Sequence, residues 1–284
     1  MPRLYVVATP IGNLEDITFR GLRALQEAGV IAAEDTRLAR ALLSHFDIRR
    51  KRLISYNEHN RARRIPELLG LLAEHDIALI TDAGTPVISD PGAELVAAAR
   101  AAGHQVVAVP GPSAVAAAVS VAGLAAASFT FVGFLPRTEG ELRRLLEASK
   151  TRNEALVAFE APARLAKTLQ VIWEALPERR IAVCRELTKL HEEVFVGTPA
   201  EAAEHFEAPR GEIVIVIEAS KGTPPATKPV EGIEAEVAEM KALGLTRVQA
   251  SALLSSRHGI GRRQAYALWL AEPAMPNSQA TRDD

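Results

Sequence analysis

The chain has 284 residues, of which 48% are hydrophobic and 24% are charged, and its formal net charge is −2. This length allows two compact domains, and the composition is typical of a soluble globular protein and excludes disorder across the body of the chain. No segment approaches the roughly 20 uninterrupted apolar residues of a membrane span. The N-terminal apolar run is too short for a secretory signal, so we expect a cytoplasmic protein. The single cysteine, Cys184, excludes an internal disulfide and a cysteine-cluster metal site.

The first half of the chain alternates between predicted strands and predicted helices. Apolar runs and helical spacing predict strands near residues 4–8, 30–33, 77–80 and 105–109, and helices at 18–28, 36–46 and 93–102. Alternation of this kind implies a largely parallel sheet with helices on both faces. A Pro-Gly-Pro turn then leads into a helix of small residues, and we place the end of the first domain, residues 1–114, there.

Strands outnumber helices in the second half of the chain. The segment "EEVFVG" follows "IAVCREL" and can pair with it as a hairpin, which predicts a mixed sheet in a second domain, residues 115–220. Residues 221–230 have the composition of a proline-rich linker. Residues 231–272 have the pattern of two or three short helices, and we expect residues 273–284 to be frayed.

Three turns rich in glycine and proline follow predicted strands of the first domain. They are "ATPIGN" at 8–13, "DAGTP" at 82–86 and "VPGPS" at 109–113. Because the carboxyl ends of parallel strands lie on one edge of a sheet, these turns should gather there, where open α/β sheets bind ligands. The nearby "SDPG" at 89–92 adds to the pattern. The sequence therefore favours a ligand pocket over a set of unrelated turns.

Several familiar chemistries lack their motifs in this sequence. There is no GxGxxG after the first strand, no GxxxxGK[ST], no HExxH and no GxSxG. The sequence therefore contains none of the usual motifs for hydride transfer or nucleotide hydrolysis. The seven histidines show no metal-ligand spacing, so no metal site is predicted.

Six segments occur in a characteristic order between residue 3 and about residue 219: "ATPIGNLEDIT", "AEDTR", "SYNEHN", "TDAGTPVISDPG", "VPGPSA" and "PRGEIVIVIE". Together they resemble the bacterial 16S ribosomal RNA 2′-O-ribose cytidine methyltransferases, a branch of the tetrapyrrole methylase superfamily. The resemblance implies two α/β domains with S-adenosylmethionine bound in the cleft between them, a small C-terminal helical appendage and a homodimer.

The resemblance also implies which residues contact the cofactor. These residues lie in both domains: Pro10, Asp82, Ala83, Gly84, Thr85, Pro86, Val87, Ser113, Ala114, Phe159, Glu160, Glu212, Ile213 and Val214. The chain departs from the family at one place, where "FEAPAR" stands for a pattern close to "FESPHR", so that Ala161 and Ala163 replace a serine and a histidine. Glu160 and Arg164 keep their places, so the overall match of the second domain survives.

Methyl transfer from a sulfonium to a ribose hydroxyl requires no metal, but the hydroxyl must lose its proton as the new bond forms. A carboxylate, histidine or lysine near the hydroxyl assists this loss. The candidates are Glu34, Asp35, Glu58 and His59, which follow strand-like runs and should open toward the edge that carries the cofactor loops. Helix capping is the alternative role for Asp35, and an ordinary surface position is the alternative for His59.

Basic residues are clustered although the net charge is small. Residues 49–64 hold seven Lys or Arg against one acid, and residues 240–271 hold five against none. Such clusters suit RNA phosphates, and Tyr56 within the first cluster suits stacking on a base. The candidate RNA-binding residues are Arg37, Arg49, Arg50, Lys51, Arg52, Arg61, Arg257, Arg262 and Arg263. Solvated helix faces, and a tail that only packs or stabilises a dimer, are the alternatives.

The leading interpretation is an enzyme that uses S-adenosylmethionine to methylate the 2′-hydroxyl of a cytidine ribose in the decoding region of 16S ribosomal RNA, with the small ribosomal subunit as its partner. Two alternatives remain open. One is a tetrapyrrole or diphthamide-type methylase of the same fold, against which the basic clusters argue. The other is a non-catalytic ribosome assembly factor, against which the intact "DAGTP" and "VPGPS" loops argue.

Overall fold

The fold is described by a computed structural model, which covers residues 2–124, 128–220, 233–258 and 262–271. The chain divides into two compact units, Met1–Lys221 and Gly222–Asp284. The predicted linker at 221–230 and the predicted frayed tail at 273–284 lie outside the described residues. No helix in the described ranges is long and apolar enough to cross a membrane.

The first unit begins with a five-stranded parallel sheet. Its strands are β1 (Arg3–Val7), β2 (Val30–Ala33), β3 (Arg52–Ser55), β4 (Ile77–Ile80) and β5 (Gln105–Val109). They lie in the order β3-β2-β4-β1-β5, and every neighbouring pair is parallel. The predicted parallel sheet is therefore confirmed. Each connection contains a helix: α1 (Phe19–Glu27), α2 (Thr36–His45), α3 (Arg61–Leu72) and α4 (Ala93–Ala101).

Helices cover both faces of this sheet because its inner strands are apolar on both sides. Every residue of β2 and β4 is buried, as expected for strands of a doubly covered parallel sheet. One face packs on α1 and α2 through residues such as Leu25 and Leu43. The other face packs on α3 and α4 through residues such as Leu68 and Leu95. The inner strands are therefore closed to solvent on both faces, whereas the outer strands β3 and β5 are partly exposed.

The second half of the same unit contains a mixed five-stranded sheet. Its strands are β6 (Phe129–Phe134), β7 (Ala155–Glu160), β8 (Ile181–Arg185), β9 (Glu193–Gly197) and β10 (Ile213–Ile217), in the order β6-β7-β10-β8-β9. The strands β6 and β7 are parallel, whereas the other pairs are antiparallel. The predicted hairpin is confirmed, with Cys184 of β8 opposite Val194 of β9.

Helices also cover both faces of the second sheet. One face packs on α6 (Glu139–Ser149), α7 (Pro162–Ala175) and α8 (Pro199–His205). The opposite face packs on α5 (Ala114–Val121), the helix that follows β5 of the first sheet. The helix α5 therefore carries the chain from the edge of the first sheet onto the face of the second. Cys184 is buried on that face, and burial raises the pKa of its thiol to about 11.

The second unit contains three helices among its described residues: α9 (Ile233–Ala242), α10 (Arg247–His258) and α11 (Arg262–Ala271). Their core includes Val237, Met240 and Leu254. Glu236 of α9 pairs with Arg257 and His258 at the end of α10, each at 2.5 Å. Residues 259–261 lie outside the described residues.

Candidate active site

A cavity of about 440 Å³ lies at the carboxyl edge of the first sheet and is closed on its other side by the second sheet. Its volume lies within the usual range for small-molecule sites. The first sheet contributes the end of β2, the loop after β4 and the start of α5, and the second sheet contributes the ends of β6 and β7 and the start of β10. The lining residues are Ile11, Glu34, 82–85, 88–90, 113–115, Phe134, 159–162 and 211–214.

The three turns predicted from the sequence do meet at this edge. Thr9 and Gly84 exchange both backbone hydrogen bonds, with N–O distances of 2.9 and 3.0 Å, and this joins the loops after β1 and β4. The Thr85 hydroxyl donates to the carbonyl oxygen of Pro112 at 3.0 Å, and this joins the loops after β4 and β5. The hydrogen bonds between loops make the cavity wall a single connected structure.

The loop between β4 and α4 has an unusual backbone. Four of its residues have positive φ angles: Gly84 (80°), Val87 (79°), Ser89 (66°) and Gly92 (148°). A β-branched residue such as Val87 strongly disfavours this region, so the surrounding structure must hold it there. A Cβ added at Gly92 would lie 2.8 Å from Cγ2 of Val87. Glycine is therefore required at position 92 by both its φ angle and its close neighbour.

Three carboxylates from two strand ends line the cavity: Glu34, Asp82 and Asp90. Burial raises the pKa of Glu34, and the charge of Asp82 raises it further. Burial and the charge of Glu34 raise the pKa of Asp90 to about 6. Asp82 accepts a hydrogen bond from the backbone N–H of Asp35 at 2.9 Å. No Lys, Arg or His is among the described residues that line this cavity, so its walls favour a cationic ligand.

Asp35 points elsewhere, because it begins α2. Its carboxylate accepts the backbone N–H of Arg37 at 2.7 Å and also binds the Arg37 guanidinium, with a closest distance of 2.6 Å. The hydrogen bonds from Arg37 lower the pKa of Asp35 to about 2. Asp35 lines a second cavity of about 350 Å³, beside α2, to which Asp82 also contributes. The structure thus shows the capping role considered for Asp35 and places its side chain outside the larger cavity.

Glu58 and His59 line neither of the two cavities. Both follow β3, which is the outer strand of the first sheet and is separated from β4 by β2. Glu58 pairs with Arg61 at 3.0 Å, and the backbone N–H of His59 donates to the Asn57 side chain at 3.2 Å. The expectation that these two residues would join the cofactor loops is not met, because strand order cannot be read from these motifs.

Eleven of the fourteen predicted cofactor residues line the larger cavity. They are Asp82, Ala83, Gly84, Thr85, Ser113, Ala114, Phe159, Glu160, Glu212, Ile213 and Val214. Pro10 lines the second cavity instead. Pro86 is buried and Val87 is exposed, and neither lines either cavity. Ser113 is the N-cap of α5 but makes no capping hydrogen bond, so its hydroxyl is available to a ligand.

Glu160 lines the cavity without presenting its carboxylate to a ligand. The side chain is fully buried and accepts hydrogen bonds from Thr168 at 2.6 Å, from Arg164 at 3.0 Å and from the backbone of Ala161 at 2.7 Å. All these partners belong to α7 or its N-cap, so the Glu160 carboxylate joins the end of β7 to α7. Ala161 provides no side-chain cap for α7, so a capping hydroxyl is missing there.

Most of the predicted RNA-binding cations have partners within the protein. Arg37 pairs with Asp35, Arg49 with Asp47, Arg52 with Glu67, Arg61 with Glu58 and Glu94, and Arg257 with Glu236. The Lys51 ammonium donates to the carbonyl oxygen of Ala28 at 2.8 Å, close to the C-terminus of α1.

The remaining residues that were predicted to contact RNA lie in different surroundings. Arg50 is exposed and has a φ of 61°, and it forms no ion pair with any residue in the described part of the chain. The side chains of Arg262 and Arg263, at the start of α11, lie outside the described residues. Tyr56 is fully buried in the core under α3 and α4, so the expectation that it stacks on a base is wrong.

Several lining residues escaped the sequence analysis. Asp90 lay within the quoted "SDPG" but was assigned no role, and Ile88 and Ser89 precede it. Ile11 and Gly211 come from two separate loops, and Phe134 is the last residue of β6. In the sequence, the only indication of a role for Asp90 is its position close to the predicted cofactor turns. Among the described residues, no group of three His, Cys, Asp or Glu side chains is arranged to hold a metal ion.

Residues 3–203 match the protein family described as Tetrapyrrole (Corrin/Porphyrin) Methylases. The chain belongs to the tetrapyrrole methylase family. It is 48% identical over 220 residues to the ribosomal RNA small subunit methyltransferase I of Thermotoga maritima, covering 76% of this chain and 98% of that protein. It is 41% identical over 280 residues to the protein of the same name from Halalkalibacterium halodurans, covering 95% of each chain.

Solved structures with a similar fold cover about three quarters of the chain. Diphthine synthase matches with a TM-score of 0.61 and 15% identity, covering 76% of this chain and 90% of that one. Uroporphyrin-III-C-methyltransferase from Thermus thermophilus matches with a TM-score of 0.54 and 23% identity, covering 76% and 94%. At these identities the matches show the fold, and the fold class inferred from the sequence is confirmed.

Proposed function

We propose that this protein is an S-adenosylmethionine-dependent methyltransferase that methylates the 2′-hydroxyl of a cytidine ribose in the decoding region of 16S ribosomal RNA. The observation that carries the proposal is the larger cavity, which three hydrogen-bonded loops form at the carboxyl edge of a parallel sheet. The protein acts in the cytoplasm, on RNA within the small ribosomal subunit. The names of its relatives support the ribosomal RNA as acceptor.

The residues of the cavity fit S-adenosylmethionine. The cofactor carries a sulfonium, an ammonium and a carboxylate, so its net charge is positive, and the described cavity wall holds carboxylates without any Lys, Arg or His. Apolar side chains, among them Ile11, Phe134 and Ile213, suit the flat face of an adenine. Gly84 has no side chain and adopts a φ of 80°, so the loop can approach a ligand closely.

Each part of the cavity has a distinct task in this proposal. The bound cofactor supplies a methyl group on a positively charged sulfur. The backbone of residues 83–85 and the hydroxyl of Ser113 orient it, and Asp82 and Glu34 balance its charge. The wall from the second sheet, including Phe159 and Val214, excludes water. Holding the acceptor oxygen in line with the methyl group accounts for much of the expected rate enhancement.

The basic cluster at the start of β3 is the proposed contact with RNA phosphates. Arg49 and Arg52 are mostly exposed despite their carboxylate partners, and Arg50 is exposed without one in the described chain. Surface ion pairs contribute little free energy, so an RNA phosphate can compete for these cations. We also infer a homodimer, as the family resemblance implies.

The proposed reaction is tested by methyl transfer from radiolabelled S-adenosylmethionine to small subunits isolated from cells that lack this gene. We expect the label in 2′-O-methylcytidine after nuclease digestion and nucleoside chromatography. Label in protein or in a tetrapyrrole would favour the other enzyme classes of this fold. Cofactor binding with no labelled nucleoside would favour an assembly factor.

Two sets of variants separate the cofactor site from the RNA surface. Replacing Asp82 or Ser113 with Ala is expected to weaken cofactor binding in calorimetry, and unchanged affinity for both would contradict the assignment of the cavity. Replacing Arg49, Arg50 and Arg52 together with Ala is expected to spare cofactor affinity and to weaken RNA binding with a smaller salt dependence. Unaltered RNA binding would remove this cluster from the interface.

A further inference from the structure

Asp90 is held at the cavity wall by the strained part of the loop between β4 and α4. The positive φ angles of Val87 and Ser89 immediately precede it, and that of Gly92 follows. Non-glycine residues persist in this region only where the surrounding structure imposes it, and such sites cluster where a functional group must be aimed. The result is a carboxylate that lines the cavity on a loop tied to the neighbouring loops through Gly84 and Thr85.

The groups that face Asp90 come from three sides. Glu34 at the end of β2 and Asp82 after β4 are acidic, and the Thr81 hydroxyl, which donates to the carbonyl oxygen of Ala83 at 3.4 Å, is the polar group near Asp90 that favours its ionised form. From the second sheet, Glu160 is bonded inward to α7 and Glu212 pairs with Lys189 at 3.0 Å. Partial burial and the like charges raise the pKa of Asp90 to about 6, and the Thr81 hydroxyl opposes that rise.

The other carboxylates near the strand ends are less suited to taking a proton. Asp35 is bound by Arg37, which lowers its pKa to about 2. Asp82 already accepts a backbone hydrogen bond from the start of α2. Glu58 lies beyond β2 from the cavity and pairs with Arg61. Glu34 lines the same cavity and is the remaining competitor for the role.

We propose that Asp90 is the catalytic residue that accepts the proton of the acceptor hydroxyl during methyl transfer, an inference that rests on the proposed function. The acceptor oxygen forms a bond to the methyl carbon while the carbon–sulfur bond breaks, and that electron pair neutralises the sulfonium. The oxygen–hydrogen bond breaks and its proton passes to a carboxylate oxygen of Asp90. A base with a pKa near the working pH is the most effective for such a transfer.

The test compares Asp90→Asn with wild-type protein in methyl transfer to small subunits across pH 5 to 8. We expect kcat of the wild type to rise with pH through a midpoint near 6, where Asp90 ionises. Asp90→Asn should lose kcat on the order of 100-fold or more, the usual contribution of a positioned base. Its affinity for S-adenosylmethionine should change little. Asp90→Glu should recover part of the activity.

Two further measurements separate a catalytic role from a structural one. Carbon-13 NMR of protein labelled at the aspartate carboxyl groups should show a titration near pH 6 that Asp90→Asn abolishes, without any cofactor present. Glu34→Gln removes a charge that raises the pKa of Asp90, so it should move both this titration and the rate profile to lower pH. Asp16→Asn is the matched control, because Asp16 is exposed and lines neither cavity.

Each outcome decides the matter. Retained kcat in Asp90→Asn, or a larger loss in Glu34→Gln than in Asp90→Asn, would overturn the proposal and leave the proposed function in place. If Asp90→Asn fails to fold or to bind cofactor, Glu34→Gln decides: a shifted NMR titration with an unshifted rate profile overturns the proposal, and matching shifts support it. If the wild type itself methylates no RNA, the proposed function fails first, and the role of Asp90 falls with it.

Discussion

The carboxylates at the cavity have opposite surroundings in the two sheets of the first unit. At the carboxyl edge of the parallel sheet, Glu34, Asp82 and Asp90 line the cavity without a cation beside them among the described lining residues. In the mixed sheet, Glu160 ends β7 at the same cavity, but its carboxylate is fully buried and bonded to Arg164 and Thr168. The first sheet thus keeps polar groups available for chemistry, whereas the second uses its carboxylate to join a strand to a helix.

Unusual backbone angles occur beside both sheets. The loop after β4 contains non-glycine residues with positive φ angles at 87 and 89, and the loop after β8 contains two more, Glu186 and Thr188. In the second sheet, β7 and β10 are almost entirely buried and regular, and they supply a wall of apolar side chains such as Phe159 and Val214. The contrast between the two sheets therefore lies in their carboxylates and in their apolar packing, and the following variants test it.

The largest effect is expected in the mixed sheet. Glu160→Ala should lower the free energy of unfolding by about 3 kcal/mol, since it leaves the Arg164 charge and the Thr168 hydroxyl without their buried acceptor. Urea unfolding at neutral pH measures this change. Glu147→Ala is the control, because Glu147 is exposed and pairs with Lys150 on the surface of α6. Equal effects of the two variants would show that Glu160 is not structural.

Asp90 should behave in the opposite way, because its ionised form is disfavoured in the folded state. Its folded pKa of about 6 lies above the ordinary value of 3.8, so wild-type stability falls as pH rises from about 4 to about 6. Asp90→Asn should therefore unfold with a free energy higher by at most about 3 kcal/mol at pH 8, with no gain below pH 4.

Urea unfolding of Asp90→Asn, measured as a series in pH, checks this linkage. Asp16→Asn should show no such pH-dependent gain, because Asp16 is exposed. A stability of Asp90→Asn that follows the wild-type pH dependence would mean that Asp90 carries no burial penalty.

The strained loop should respond strongly to a single added methyl group. Gly92→Ala should lower the free energy of unfolding by about 2 kcal/mol and weaken cofactor binding, because its Cβ would lie 2.8 Å from Val87 at a φ of 148°. Gly103→Ala is the matched control, since Gly103 has a φ of 81° with nothing within 4 Å of the added atom.

For Gly103→Ala we expect a loss of about 1 kcal/mol and unchanged cofactor affinity. Calorimetry of both glycine variants distinguishes a loop built for a ligand from an ordinary turn. If Gly92→Ala and Gly103→Ala bind the cofactor with equal affinity, the strained backbone at Gly92 does not contribute to cofactor binding.

The smallest effect concerns the link between two loops. Thr85→Val removes the hydroxyl that donates to Pro112 at 3.0 Å and keeps the shape of the side chain. We expect a loss of about 1 kcal/mol in unfolding free energy and a modest loss of cofactor affinity. Thr85→Ser keeps the donor and should restore both properties. If Thr85→Val behaves like the wild type, the hydrogen bond does not hold the loops together; if Thr85→Ser loses as much as Thr85→Val, the methyl group contributes as well.

Much of the fold follows from local patterns in the sequence. The predicted strands at 30–33, 77–80 and 105–109 coincide with β2, β4 and β5, and the pairing of β8 with β9 was predicted from their adjacency. Apolar periodicity and turn residues carry this information because they act over a few neighbouring positions. For the same reason the sequence predicted that the glycine and proline turns would meet at one sheet edge.

The residues that make up the site were harder to predict from the sequence. Glu58 and His59 follow a strand, as predicted, but β3 lies at the outer edge of the sheet and carries them away from the cavity. Tyr56 belongs to a basic segment yet points into the core. No role for Asp90 is predicted from the sequence, because its partial burial beside Glu34 depends on bringing together the loop after β4 and the end of β2, which are distant in sequence.

By itself, the sequence determined the parallel and mixed character of the two sheets, the turns that form the cavity and the family to which the chain belongs. These properties depend on local periodicity and on the order of motifs. Only the tertiary structure decided which carboxylates share the cavity, which are neutralised by Arg37 or Arg164, and which strand lies at the edge. Burial and charge proximity are set by strand order and by packing between the sheets, and no short stretch of sequence encodes them.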